Sequence, residues 1–252
     1  MHKMKPRLID FRKNVYSQFG EDGIIEKIFS IITPANKLCV EFGAWDGEYL
    51  SNTANLWKNK GWSAVLVEAD EERIKTIKEQ AGVLPICAKI GFDNQKDSID
   101  FLLKKHNIVE QVDFMSIDID GDDYWIFEQL ESRPNVICIE YNPTIPFWVD
   151  CVQEPGQIFG ASLAAMNRLA KLKGYFLAAV TDSNLFFIRN DYKHLFKRFD
   201  LDVASIACYT HYISMITTYD GKYLQVGNPP YGMREKMSEK DESMIVFMET
   251  RE

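Results

Sequence analysis

LCVEFGAWD, residues 38–46, predicts a buried strand that ends in a tight turn containing glycine, with a helix to follow. A second apolar strand, AVLV at 64–67, comes after that helix and ends at Glu68. A glycine turn at a helix N-terminus, with a carboxylate at the end of the next strand, is typical of a nucleoside-binding unit. The turn lets the backbone approach the ligand, and the carboxylate can accept hydrogen bonds from both ribose hydroxyls. This stretch therefore predicts a nucleoside site.

The spacing of the glycines narrows the choice of nucleoside. Gly43 and Gly47 form G-x-x-x-G around Asp46, whereas a pyrophosphate site has G-x-G-x-x-G. A pyrophosphate would be repelled by Glu41 and Asp46, but an ammonium or a sulfonium group would be attracted by them. The pattern E-F-G-A-x-D-G therefore favours S-adenosylmethionine (SAM) over a nicotinamide cofactor. A tight strand-to-helix turn in some other α/β protein is the alternative.

The composition favours one globular α/β domain over residues 1–252. The chain is long enough to bury a full core, and 46% of its residues are hydrophobic. A formal net charge of −8 argues against nucleic acid as a partner, because phosphates need a basic surface. No apolar run is long enough for a transmembrane helix, and the basic N-terminus lacks the apolar segment of a signal peptide. We therefore expect a cytoplasmic protein that has no membrane partner and reduced cysteines.

Helices and strands alternate along most of the chain, which predicts a mostly parallel, doubly wound sheet. Two final strands joined by TDSN (181–184) predict a closing hairpin with one antiparallel strand. The predicted strands are 38–42, 64–68, 84–88, 114–119, 136–139, 175–180 and 185–188. The predicted helices are 17–32, 50–60, 71–80, 97–106, 124–130 and 162–173.

Three segments lie outside this alternation. Residues 1–35 are predicted to form an N-terminal helical cap. The loop 142–160 is rich in proline and aromatic residues and is too long for a mere connection, so we expect a lid or a substrate wall. The tail 195–252 has no clear periodicity. Residues 143–160 and this tail are expected to bind the second substrate, the acceptor.

Two acidic clusters follow the fourth and fifth predicted strands, where ligands bind in an open α/β sheet. DIDGDD occupies 118–123 and EYN occupies 140–142. The mutual repulsion of these carboxylates must be offset by water, a cation or a cationic ligand. A divalent metal such as Mg²⁺ would lower the pKa of a substrate hydroxyl there, and its candidate ligands are Asp118, Asp120, Glu140 and Asn142. We predict that Asp118 and Asp120 are catalytic. Alternatively, the aspartates at 122 and 123 cap the following helix.

Two further groups have both a functional and a structural interpretation. Gln18, Glu21 and Asp22 lie at the first turn of the first predicted helix, where they could contact a ligand or cap the helix. His211 lies in the aromatic run CYTHY and is a candidate general base, because the pKa of histidine suits proton transfer. A purely structural histidine is the alternative.

Four blocks of the sequence resemble the FkbM-like family of SAM-dependent methyltransferases. They are YSQFGEDGIIEKIF (16–29), VEFGAWDGEYLSNTANL (40–56), GWSAVLVEAD (61–70) and FMSIDIDGDDYWIFEQL (114–130), the last leading to PNVICIEYNP (134–143). The resemblance implies a Rossmann-like class I methyltransferase fold, with a seven-stranded, mostly parallel sheet and a terminal antiparallel hairpin. It also implies SAM as the cofactor and methyl transfer to an oxygen of a sugar or of a polyketide-type hydroxyl.

The resemblance also implies roles for single residues. The amino-acid part of SAM would lie among Gln18, Glu41, Gly43 and Asp46, the ribose on Glu68, the adenine edge at Ala88, and the transferring methyl beside Asp118. The chain departs from the family in having D-I-D-G where many relatives have D-V-E-G. Its tail after Leu195 matches no part of the family pattern. The resemblance therefore does not identify the acceptor, because the tail is expected to help bind it.

Similar bacterial proteins modify capsules and other surface polysaccharides. This implies a small-molecule or carbohydrate acceptor, such as a capsular sugar or its phosphoramidate decoration. Two other functions remain open on the sequence: an NAD-dependent oxidoreductase on a related fold, and a non-catalytic SAM-binding protein. A homodimer is compatible with the sequence.

Overall fold

Seven strands form one sheet: β1 (Leu38–Phe42), β2 (Ser63–Glu68), β3 (Val83–Cys87), β4 (Phe114–Ile117), β5 (Val136–Glu140), β6 (Tyr175–Val180) and β7 (Asn184–Arg189). The computed structural model describes residues 5–77, 80–209, 212–217, 219 and 223–227. The strand order is β3-β2-β1-β4-β5-β7-β6. Only β7 is antiparallel to its neighbours, β5 and β6. The predicted fold class is confirmed: an α/β, Rossmann-like class I methyltransferase fold with a terminal antiparallel hairpin.

Helices connect the strands in the described part of the chain. They are α1 (Glu21–Phe29), α2 (Ala54–Asn59), α3 (Glu71–Ile74), α4 (Ile99–Lys105), α5 (Asp123–Gln129), α6 (Leu163–Leu172) and α7 (Val203–Ile206), with 3₁₀ turns at Leu8–Phe11, Gln95–Asp97 and Asn190–Phe196. In the tail, where the sequence shows no periodicity, β8 (Ile213–Thr217) and β9 (Tyr223–Gly227) form a separate antiparallel pair.

Both faces of the sheet are buried, which explains why its strands are almost continuously apolar. Successive side chains of a strand point to opposite faces. In β1, Val40 and Phe42 belong to one hydrophobic cluster and Cys39 belongs to the other. The two clusters therefore lie on the two sides of the sheet, and polar groups collect at the ends of the strands.

The strand order places a topological switch point between β1 and β4. The chain runs outward from β1 through β2 to β3 and then returns to β4 on the other side of β1. In open α/β sheets, ligands bind outside the carboxyl ends of the strands at such a point. Both halves of the predicted site therefore start from adjacent strands.

Several elements are shorter than predicted, because side chains near their ends accept hydrogen bonds from backbone N–H groups. Helix α1 begins at Glu21 rather than at residue 17, since the carboxylate of Asp22 accepts the N–H groups of residues 15–17. Strand β4 ends at Ile117 rather than at residue 119, where the N–H of Ile119 instead donates to Asp123. Apolar periodicity contains no information about such local polar bonds.

Two expectations about the environment of the chain can be compared with the structure. No helix among the described residues combines the length and apolar character needed to cross a bilayer. All five cysteines are free thiols, and Cys39 and Cys138 are buried in strands.

Candidate functional site

Gly43 lies directly after β1 and joins the two halves of the site. Its φ of 72° is in the left-handed region, and a Cβ at this position would lie 1.8 Å from the carbonyl oxygen of Asp118. Only glycine allows the end of β1 to pass so close to the end of β4. The glycine turn and the acidic segment, predicted separately from the sequence, are therefore in contact through their backbones.

Glu68 is buried at the carboxyl end of β2, as predicted for a ribose-binding residue. Its Oε2 accepts the N–H of Trp45 and its Oε1 accepts the N–H of Asp70, both at 2.9 Å. Each carboxylate oxygen has a second lone pair beyond the one used by a backbone N–H. The N–H of Ala88 donates to the carbonyl oxygen of Glu68 at 3.0 Å, so the end of β3 lies beside it.

Glu41 and Asp46 have backbone partners of their own. Oε1 of Glu41 accepts the N–H of Asn52, while Oε2 accepts the hydroxyls of Ser51 and Thr53 at 2.6 Å. Burial raises the pKa of Glu41. Oδ1 of Asp46 accepts the N–H groups of residues 48 and 49, which shapes the turn after Gly47. Their contact with a cofactor remains a prediction, and the structure shows that they also hold the loop.

The N-terminal segment is attached to the carboxyl edge of the sheet through Glu21. Its Oε1 accepts the hydroxyl of Thr181 at 2.7 Å and Nδ2 of Asn184 at 3.3 Å, in the turn between β6 and β7. Its Oε2 accepts the N–H of Phe19 at 2.7 Å. Gln18, predicted to cover the cofactor, is half-buried, and its carbonyl oxygen accepts Nδ2 of Asn14.

Asp22 organises the same segment. Its Oδ2 accepts the N–H groups of residues 15–17 and the hydroxyl of Ser17, all at 2.8 Å. Its Oδ1 is buried and has no hydrogen-bond partner among the residues that the structure describes. The charge of Asp22 contributes to the raised pKa of Glu41, so the two carboxylates are neighbours. Glu21 and Asp22 therefore hold the segment before α1, and neither side chain caps the helix, whose N-cap residue is Gly20. Contact of either carboxylate with a ligand remains a prediction.

Asp118, Asp120 and Glu140 come together as predicted. Each offers a carboxylate oxygen within 4.8 Å of the other two. Burial, followed by the charge of Asp123, raises the pKa of Asp118 to about 8. Burial and the charge of Asp118 raise the pKa of Glu140 to about 10. Asp118 and Glu140 therefore hold their protons to a higher pH than isolated carboxylates do, and the cluster is a candidate general base.

The capping interpretation of Asp122 and Asp123 is wrong in its geometry. Asp122 occupies the N-cap position of α5, but its side chain makes no capping bond. Instead it accepts the N–H of Gly156 at 2.9 Å and Nε2 of Gln153 at 3.2 Å. Asp123 accepts the N–H groups of residues 119 and 121, and burial raises its pKa to about 6. Both aspartates fix loops rather than the helix.

Asn142 does not fit the role of metal ligand. Its Oδ1 accepts the N–H and the hydroxyl of Thr144, at 2.9 and 2.6 Å, and its Nδ2 donates to the carbonyl oxygen of Phe159. Both lone pairs of the amide oxygen are thereby used. The side chain closes the two ends of the loop 142–160. The three carboxylates remain as candidate ligands without it.

A cavity of about 480 Å³ lies between the acidic cluster and the loop 142–160. One wall carries Asp120, Asp123 and Glu140, and the other carries Pro143, Ile158 and Phe159. The loop therefore lines this cavity, and its role as a substrate wall remains a prediction. The volume of the cavity is in the range found for small-molecule sites.

The tail contacts the same loop through aromatic side chains. The N–H of Phe147 donates to the hydroxyl of Tyr212 at 2.7 Å. The ring of Phe147 lies 5.7 Å from that of Tyr209, and the ring of Trp148 lies 6.0 Å from that of Tyr212. His211, the predicted general base, lies outside the described residues.

Sequence reasoning missed two groups of residues in the site. The run Ser51-Asn52-Thr53, which holds Glu41, is recognisable as three consecutive hydrogen-bonding residues after the glycine turn. The second is Trp45, which could have been recognised in the sequence as a bulky residue within the glycine turn. Its ring is half-exposed, and the guanidinium of Arg73 lies 3.4 Å from the ring centroid.

Comparisons with known proteins give distant structural likenesses. No protein-family model matches the chain, and no curated protein sequence matches it either. It is similar to CalO1, a methyltransferase in calicheamicin biosynthesis in its SAH-bound form, at 12% identity and a TM-score of 0.40 over 66% of this chain and 54% of that one. The chain thus spans about half the length of CalO1.

Two further structures are similar at the same level. One is the N-terminal domain of EvdMO1 with SAH bound, at 10% identity, a TM-score of 0.41, and 67% and 79% coverage of this chain and that one. The other is a SAM-dependent methyltransferase from Aquifex aeolicus, at 10% identity, a TM-score of 0.38, and 67% and 88% coverage. Such values add nothing to the fold that the sheet itself shows.

Proposed function

We propose that this protein is a SAM-dependent methyltransferase that methylates an oxygen of a sugar or another small polar acceptor. The observation that carries the proposal is the backbone contact between Gly43 and Asp118. On one side of this contact lies the turn with Glu68, and on the other lies the acid-lined cavity. A nucleoside half-site and an acceptor half-site would therefore meet at the switch point of the sheet.

The residues around the turn fit the chemistry of SAM. Both oxygens of Glu68 keep a lone pair, which suits two ribose hydroxyls. Glu41 and Asp46 precede and follow Gly43 in the chain, and carboxylates at this turn would attract an ammonium or a sulfonium group and repel a pyrophosphate. When bound, SAM supplies a methyl group made electrophilic by its positive sulfur.

The protein's own contribution is orientation and proton removal. The walls of the cavity would align an acceptor hydroxyl with the methyl group and exclude water. Asp118, with Asp120 and Glu140 beside it, would take the hydroxyl proton as the oxygen–carbon bond forms and the carbon–sulfur bond breaks. We assign Asp118 the role of general base because it is the member of the cluster that touches the glycine turn.

Binding and turnover measurements with one variant test this proposal. Calorimetric titration should show binding of SAM and of S-adenosylhomocysteine (SAH), and no binding of NAD. Asp118→Asn should retain SAH binding and lose about 100-fold or more in kcat on a methyl acceptor. NAD binding with hydride transfer would instead identify an oxidoreductase. SAM binding without turnover on a panel of sugars and nucleotide sugars would identify a non-catalytic SAM-binding protein.

Metal dependence is a separate proposal, supported by the three carboxylate oxygens within 4.8 Å of one another. Oxygen ligands of this kind suit Mg²⁺, and water or substrate would occupy the remaining coordination positions of the ion. Treatment with EDTA should then abolish methyl transfer, and added Mg²⁺ should restore it. Full activity in EDTA would show that Asp118 works without a metal.

The substrate class and location are proposed from the resemblance alone. We propose a capsular or other surface carbohydrate, or its phosphoramidate decoration, as the acceptor, methylated in the cytoplasm. The genes next to this one test the proposal: a polysaccharide gene cluster would support it, and an unrelated operon would argue against it.

A further inference from the structure

Trp45 combines three properties that packing alone does not explain. Its backbone has a φ of 49°, in the left-handed region that bulky residues rarely adopt. Its side chain is 43% exposed, so it contributes little to the core. It nevertheless lies between Gly43 and Asp46, inside the turn that faces Glu68. An unfavourable backbone conformation next to a candidate site indicates a functional constraint.

Four contacts link Trp45 and Arg73 to Glu68. The N–H of Trp45 donates to Oε2 of Glu68, and the N–H of Asp70 donates to Oε1. The guanidinium of Arg73 lies 3.4 Å from the centroid of the Trp45 ring. The same guanidinium reaches the carboxylate of Asp70 at 3.7 Å. Arg73 therefore contacts both Trp45 and Asp70, the two residues whose N–H groups donate to Glu68.

We propose that the stack of Trp45 and Arg73 is a positioning device that orients Glu68 for the ribose hydroxyls of the cofactor. This inference rests on the proposed function and goes beyond it, because Trp45 occupies the unspecified position of the glycine motif and Arg73 lies outside both the motif and the strand ends. The stack clamps the loop after β1 against the start of α3. Both backbone N–H groups then stay on Glu68, and the remaining lone pairs of its two oxygens stay directed toward the ribose.

Trp45→Gly tests the device without removing the N–H donor. Glycine adopts positive φ readily, so the relief of backbone strain should offset part of the stability lost with the ring, and the variant should remain folded. Leu50→Gly is the matched control, since Leu50 also has a positive φ of 54°, is 40% exposed and lies in the same loop. Arg73→Met removes the other partner of the stack, and Trp45→Phe restores an aromatic ring.

The readout is the ratio of the dissociation constants of SAH and of 2′,3′-dideoxy-SAH, which lacks both ribose hydroxyls. In the wild type, 2′,3′-dideoxy-SAH should bind about tenfold or more weakly than SAH, since the hydroxyls bound to a carboxylate are lost. Trp45→Gly and Arg73→Met should weaken SAH binding and bring the ratio close to one, while leaving 2′,3′-dideoxy-SAH binding unchanged. Leu50→Gly should keep the wild-type ratio, and Trp45→Phe should recover most of it.

The outcomes separate this inference from the function on which it rests. Equal weakening of both ligands in Trp45→Gly would show that the ring only supports the loop, and would overturn the positioning role. An unchanged ratio would overturn it as well, and would leave the exposed ring as a surface for another protein. A wild-type protein that binds neither ligand would overturn the proposed function itself.

Discussion

At the scale of single residues, Gly43 and Glu68 show how tertiary contacts select a residue type. Gly43 has no room for a side chain because the carbonyl oxygen of Asp118 occupies that space. Glu68 is placed by two backbone N–H groups from different loops. The sequence identified both residues from their spacing. It did not reveal that the space a Gly43 side chain would need is occupied by the backbone of Asp118.

We expect Gly43→Ala to destabilise the protein by about 3 kcal/mol or more, because the methyl group adds a clash to an unfavourable φ. Gly61→Ala is the matched control, since Gly61 has a φ of 68° and a Cβ there would meet no described atom within 4 Å. Its cost should be only about 1 kcal/mol. Urea denaturation of both variants measures the difference. Equal losses in the free energy of unfolding would mean that the backbone at Asp118 moves at little cost to make room for the methyl group.

The acidic cluster makes stability depend on pH. The pKa of Asp118 is raised to about 8 and that of Glu140 to about 10 in the folded protein, so the native state binds more protons than the unfolded chain between about pH 4 and these values. The free energy of unfolding should therefore fall as the pH rises through this range. Asp118→Asn should reduce that fall and stabilise the protein at pH 8 by roughly 1–3 kcal/mol.

Urea unfolding between pH 5 and pH 9 checks this sign. Glu110→Gln, at an exposed carboxylate outside the cluster, is the control and should leave the slope unchanged. A slope that is the same in Asp118→Asn and the wild type would contradict the prediction. A slope that disappears on addition of Mg²⁺ would show that the cluster binds the metal.

At the scale of secondary-structure elements, the periodicity of the sequence predicted the type and order of the strands, but polar side chains decided the ends of elements. Helix α2 starts at Ala54 because Glu41 holds residues 51–53 by three hydrogen bonds. Such bonds join residues ten or more positions apart, and a pattern of apolar residues cannot predict them. Shorter-range polar bonds act in the same way in the N-terminal segment, where Asp22 holds residues 15–17 before α1 begins.

Asp22→Ala should release this segment and destabilise the protein by about 3 kcal/mol, because buried N–H groups lose a charged acceptor. The amides of residues 15–17 should then exchange with deuterium far faster than in the wild type. Asp10→Ala removes an exposed carboxylate from the preceding 3₁₀ turn and should cost under about 1 kcal/mol. Unchanged exchange at residues 15–17 would contradict the prediction.

At the scale of the whole molecule, the two halves of the site come from segments far apart in sequence. The proposed cofactor half lies at the ends of β1 and β2, whereas the cavity lies between the ends of β4 and β5 and the loop 142–160. Asp122 and Asn142 fix that loop onto the sheet edge. The length and composition of the loop predict its role, but they contain no information about its distance from the acidic cluster.

Asp122→Ala should loosen the loop and affect only the acceptor half. We expect the KM for the acceptor to rise about tenfold, since the charge-assisted bonds to the N–H of Gly156 and to Nε2 of Gln153 are lost. The dissociation constant of SAH should not change. Steady-state kinetics and calorimetry measure the two quantities. Equal weakening of SAH binding would show that the loop also covers the cofactor.

By itself, the sequence determined the α/β class, the order of the strands along the chain, the glycine turn and the two acidic segments, because these depend on local pattern and on groups close in sequence. Only the tertiary structure decided that Gly43 abuts Asp118, that Asn142 closes a loop, and that Trp45 stacks on Arg73 while its N–H donates to Glu68. These are contacts between distant segments, and their geometry depends on how the strands pack side by side.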